Sequence, residues 1–93
     1  MKPMALDIGH EAVVMTEKLL VILPPDSAPM KALRKEAKDQ GRLIDATAGK
    51  TTRSVLVLET GHVVLSSLNP ETLERRLAKH IYKQRHEQNE DKD

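Results

Sequence analysis

The chain of 93 residues has no cysteine, no phenylalanine and no tryptophan, and its one aromatic residue is Tyr82. Without cysteine there are no disulfides and no thiolate metal sites, a usage that fits a reducing compartment. Without large aromatic rings the core has to be built from Val, Leu, Ile, Met and Ala, each of which buries less area than a ring does. At this length a chain buries only about 60 to 70% of the surface that its unfolded form exposes, so self-association is expected to help it. No run of about 18 apolar residues occurs, and the first 14 residues hold an acid and a histidine where a signal peptide needs an unbroken apolar stretch. The expectation is a soluble cytoplasmic protein with no membrane partner.

What is present is charge, unevenly placed. The formal net charge is only +1, but residues 87–93 hold four acids and one base, which leaves 14 Lys+Arg against 10 Asp+Glu, a net +4, on residues 1–86. A moderately basic folded part is compatible with a polyanionic partner. Residues 87–93 contain no apolar side chain and read as an acidic, disordered tail, so the chain divides into one domain over 1–86 and a tail over 87–93.

Ala5 to Met15 reads as two short strands around a bend at Gly9. Leu19 to Leu23 is an unbroken apolar run ended by Pro24 and Pro25, and reads as a central or interface-buried strand. Asp26 or Ser27 can cap a helix that begins near Pro29, puts Met30, Leu33 and Ala37 on one face, and stops at Gly41. Leu43 to Thr47 is the next strand. Thr52 to Leu58 and His62 to Ser66 flank Glu59-Thr60-Gly61 as a hairpin. Asn69-Pro70-Glu71 opens a second helix, with Leu73, Leu77 and Ile81 as its apolar stripe and Arg75, Arg76, Lys79 and Lys83 facing away. The fold class is therefore α+β: a small mixed or antiparallel sheet with two helices in a single domain.

Catalytic patterns are scarce. His10-Glu11 begins like HExxH, but Val14 stands where the second histidine is required, and the segment reads as strand. His80 and His86 are six apart, off the spacing that shares a helix face. Ser54, Ser66 and Ser67 sit in no nucleophile elbow, and no Gly-rich phosphate loop is present. The chain is expected to be no enzyme and to use no metal or cofactor.

The basic positions form the other constellation. Lys50 and Arg53 flank Thr51 and Thr52 directly after Gly49, so two cations and two hydroxyls leave one turn together, a set that suits phosphate oxygens. Lys31, Arg34, Lys35 and Lys38 supply the polar face that a soluble amphipathic helix needs in any case. Asp45 is an acid set in an apolar strand and should find a cation or backbone donors, with Arg53 as the preferred partner from proximity along the chain.

The succession DIG, ILPPDSAPMKALRKEA and GRLIDATAGKTTRSVLVLETGHVVLSSLNPETLERRL resembles the RemA family of bacterial biofilm-matrix regulators from about Leu6 to Leu77, through its SAPxK, LIDATxG, TR and PETxxRL elements in combination. That resemblance implies a small α+β protein assembled into a ring-shaped homo-oligomer that binds DNA through basic residues repeated around the ring and activates transcription of matrix genes. It implies Lys18, Lys50, Arg53 and Lys31 as the DNA-binding residues. Lys18 stands at a family arginine, Lys50 and Arg53 stand in the family's GRRTR turn, and Lys31 is the lysine of SAPxK. Thr51 departs from an arginine, Ala32 from a frequent arginine or lysine, Ala48 from a tyrosine, and His10-Glu11-Ala12 from FGN. The function expected is a DNA-binding transcriptional regulator of low sequence specificity. The alternative is an oligomeric protein-interaction module in which DNA binding has weakened or gone.

Overall fold

A strand with one buried face has to alternate, and the two strands of the first hairpin do so. In the computed structural model, which describes residues 4–78, β1 (Ala5–Gly9) buries Leu6 and Ile8 while Ala5 and Asp7 face outward. It pairs antiparallel with β2 (Ala12–Met15), where Val14 is buried and Val13 is not. The bend foreseen at Gly9 joins them, although the turn is carried as much by His10 and Glu11, both with positive φ (52° and 66°).

A single 3-10 turn, Thr16–Lys18, leads into β3 (Leu19–Leu23), and residues 24–27 lead on to α1 (Ala28–Asp39). Ser27 caps that helix by accepting from the Met30 N–H at 3.3 Å, and Pro29 sits in the first turn, where its missing N–H costs nothing. Gly41, at φ 71°, supplies the left-handed stop, and the Arg42 N–H donates back to the Ala37 carbonyl at 2.7 Å. β4 (Leu43–Asp45) is shorter than the stretch read to Thr47. The hairpin of β5 (Ser54–Leu58) and β6 (Val63–Ser66) is present, closed by the Leu58 N–H donating to the His62 carbonyl. Residues 70–78 are helical and are called α2 below. The stripe position Ile81, the cations Lys79 and Lys83, and the tail over 87–93 lie outside the described residues.

The larger sheet has the order β3-β5-β6-β4, antiparallel except for the parallel pair β4 and β6. Its two faces are covered differently. Val55, Val63 and Leu65 pack under α1 with Leu33 and the fully buried Ala37. Leu56 and Val64, one residue along each strand, point the other way and join Leu6, Ile8, Val14 and Leu73 from the β1–β2 hairpin and α2. The result is three layers on one sheet: α1, the four strands, and the hairpin with α2. Burial of apolar area at roughly 25 cal/mol per Å² is what holds the layers together. The serines at the seam are also satisfied: Ser66 Oγ donates to the Ile8 carbonyl at 2.8 Å, and Ser54 Oγ donates to the Leu68 carbonyl.

Of the two readings of Leu19–Leu23, central or interface-buried, the first is corrected. β3 pairs with β5 alone and forms one edge of the sheet, and Leu20 is 66% exposed beside a bulge between Leu19 and Val21. An apolar run looks the same in sequence whether its far side meets a neighbouring strand or open solvent.

Candidate nucleic-acid interface

The turn after β4 is built from Asp45 outward. Asp45 Oδ1 accepts from the Thr47 N–H at 2.9 Å and from the Thr47 hydroxyl at 2.6 Å, and Thr47 is almost fully buried. These two donors hold the Asp45 carboxyl below the ordinary carboxylate range, with a smaller contribution from the charge of Arg34. The expected pairing of Asp45 with Arg53 is therefore corrected. A short-range turn satisfies the acid, and the cation that influences it comes from α1. Asp45 is also largely exposed, so burial does not demand a partner cation.

Beyond Thr47 the chain reverses through Ala48 and Gly49, at φ 54° and 80°, and the Lys50 N–H donates to the Thr47 carbonyl at 3.0 Å. The Arg53 N–H then donates to the Ser66 carbonyl at 2.8 Å, which anchors the far end of the turn on β6. The backbone of the Lys50–Arg53 segment is thus tied at both ends while the side chains of Lys50, Thr51 and Arg53 are exposed. Among the described residues the ion pairs are Lys18 with Glu59 at 3.1 Å and Arg76 with Asp7 at 3.6 Å. Neither Lys50, Arg53 nor Lys31 takes part in one.

Lys31 lies in the first turn of α1, which follows β3 where Leu23 stands beside Val55. That is the end of the sheet at which Arg53 enters β5, so Lys31, Lys50 and Arg53 share one end. Lys18 does not. It stands beside the last residues of β5, with its carbonyl accepting from the Glu59 N–H and its ammonium held by the Glu59 carboxylate, a contact that raises its pKa. Along a strand at about 3.3 Å per residue, Lys18 is roughly 20 Å from Arg53 within one chain.

Sequence reasoning did not find the partners of Arg42 and Arg76. The first donates to the Gly61 carbonyl, and the second, read as facing away, donates to the Asp7 carbonyl at 3.0 Å. Both contacts join positions far apart in the chain, so no local signal announces them. Nor did it find that both lateral edges of the sheet carry exposed apolar side chains: Leu20 and Val21 on β3, and Ile44 on β4 with Val13 and Met15 beside it. No helix among the described residues is long and apolar enough to cross a membrane.

Known proteins resemble this chain closely. The RemA-like family, described as extracellular matrix regulatory protein A-like, matches residues 5–77. A candidate regulatory protein of Leptospira biflexa is 57% identical over 72 residues, covering 77% of each chain. Another from Oleidesulfovibrio alaskensis is 47% identical over 75 residues, covering 81% of this chain and 89% of its own, and one from Pseudothermotoga lettingae is 44% identical over 71 residues, covering 76% and 78%. The names are those of regulators and not of enzymes. With the serine-capped α1, the LIDAT strand and the basic turn all inside the matched span, the chain belongs to the RemA-like family.

Proposed function

We propose that this protein is a DNA-binding transcriptional regulator that works as a homo-oligomer in the cytoplasm, of the kind that governs biofilm-matrix genes. The observation that carries the reading is the turn at Lys50–Arg53: two cations without ion-pair partners among the described residues, exposed on a backbone tied to β4 and β6. Phosphate contacts of this type position a duplex without reading its bases, and two or three per subunit bind weakly. Affinity then has to come from many subunits engaging one duplex. The two sheet edges support assembly. An apolar β3 edge on one side and an apolar β4 edge on the other are different surfaces, and head-to-tail contact between different surfaces closes into rings when the rotation allows it. In such an assembly Lys18 of one subunit need not act with the Lys50 of its own chain.

The second reading, a protein-interaction module, is favoured by the reduced free positive charge at three positions. Lys18 is already neutralised by Glu59, and Thr51 and Ala32 supply no charge. Fluorescence anisotropy of a labelled AT-rich duplex, titrated with the full chain at two salt concentrations, separates the two. Saturable binding that weakens steeply with salt is the expected result. No binding at low salt, from folded and assembled protein, transfers the assignment to the interaction module.

A further inference from the structure

At 3.6 residues per turn, Lys31, Arg34, Lys35 and Lys38 fall within about 100° of the circumference of α1, each three or four residues from its neighbours. The acids of the helix, Glu36 and Asp39, fall outside that sector. A solubilising face intersperses the two signs, whereas this one gathers four cations that repel one another. Three of them, Arg34, Lys35 and Lys38, line an open cleft of about 680 Å³ together with Gly41, Leu43 and Asp45 of the β4 side. The acid in that cleft offsets them only in part: Asp45 keeps its charge, held by the Thr47 donors, and acts weakly on Arg34, but it is one carboxylate against three cations, and no α1 cation enters an ion pair among the described residues.

The position of this flank matters as much as its sign. Its first member, Lys31, lies at the end of the sheet that carries Lys50 and Arg53, and β4 runs from the cleft directly into the Asp45–Lys50 turn. From Lys31 to Lys38 the helix rises about 10 Å, close to three phosphates of one strand at 3.4 Å of duplex axis each.

We propose that the cationic flank of α1, formed by Arg34, Lys35 and Lys38 along the cleft against β4, is a second DNA-backbone contact that continues the track begun at Lys50 and Arg53. The inference rests on the DNA-binding reading and extends it to residues that the basic turn does not include. It also replaces, within this chain, charge that Thr51 and Ala32 do not provide.

The test measures the salt dependence of binding of full-length protein to the labelled AT-rich duplex by anisotropy. The variants compared are Lys50→Ala, Lys38→Gln alone, the triple Arg34→Gln/Lys35→Gln/Lys38→Gln, and Arg34→Gln/Glu36→Lys/Lys38→Gln, which keeps net charge but moves it off the flank. Circular dichroism and size-exclusion chromatography establish that each is folded and assembled, and Lys38→Gln, one change at an exposed position, reads the same contact should the triple fail to fold. Each phosphate contact contributes about 0.9 to the slope of log K against log salt. The expected result is a slope shallower by about one unit per engaged subunit for Lys38→Gln, by two to three for the triple, and no recovery in the charge-relocated variant. Wild-type slope in the triple while Lys50→Ala weakens binding overturns the α1 contact and leaves the basic turn standing. Recovery of wild-type binding in the charge-relocated variant overturns it too, since net charge alone would then suffice. Absence of binding by the wild type removes both readings together.

Discussion

His10, Glu11 and Ala48 are residues whose local conformation their side chains oppose. Each sits in the left-handed region, at φ 52°, 66° and 54°, where a Cβ crowds the following carbonyl at roughly 1–2 kcal/mol. At Glu11 the family resemblance places glycine, the residue that suits a positive φ. Glu11→Gly is expected to stabilise the protein by roughly 0.5–1 kcal/mol, since the extra backbone freedom of glycine offsets part of the relief. Thermal unfolding checks this: a Tm higher by a few degrees agrees, and a lower Tm would mean that the Glu11 side chain makes a contact worth more than the strain. Asp45 gives a prediction in pH. Its folded-state pKa is depressed, so its stabilising effect is fully present above the unfolded value near pH 4 and is lost as pH falls through the folded value. Asp45→Asn should therefore be less stable than wild type at pH 7, by a small amount because the group is exposed, with the gap narrowing toward pH 3. Denaturant midpoints at the two pH values read this directly, and a gap that widens in acid contradicts it.

Among the elements, legibility followed the range of the interaction. The β5–β6 hairpin, the Ser27 cap and the Gly41 stop were readable because each depends on residues within a few positions of one another. For β3, read as central or interface-buried, the central alternative fails because its one strand neighbour is β5, distant in sequence. Its exposed apolar edge now carries a prediction. Leu20→Lys places a charge at the bulge on the outer edge, away from the packed faces, and edge charges block strand-to-strand association. The expected outcome by light scattering is a smaller particle with an unchanged far-ultraviolet spectrum. An assembly of wild-type size would exclude the β3 edge as a subunit contact.

For the molecule as a whole, the functional question is how few contacts per chain become a useful affinity. On the proposed DNA-binding reading, Lys50→Ala removes one phosphate contact from each subunit, so in an assembly the loss is repeated at every subunit that touches the duplex. Binding should weaken by a similar factor for AT-rich, GC-rich and mixed duplexes, with a shallower salt slope in each. Weakening confined to one sequence would point to base contact by Lys50 and away from a phosphate track. The Lys18–Glu59 pair belongs to this scale too, because roughly 20 Å of sheet separates Lys18 from Arg53 in one chain and only a neighbouring subunit can bring such positions together.

The sequence alone determined the α+β class, the strand and helix order, the capped start of α1 and the presence of a basic turn after LIDAT. Those features follow from periodicity, proline and glycine placement and local hydrogen bonding, all of which act over a few residues. Its family motifs likewise sit in contiguous stretches. The tertiary structure decided that β3 is an edge, that Glu59 holds Lys18, and that Arg34, Lys35 and Lys38 border a cleft. Those outcomes depend on which strand lies beside which, and that is set by burying the two faces of one sheet at once, a condition no short window of sequence contains.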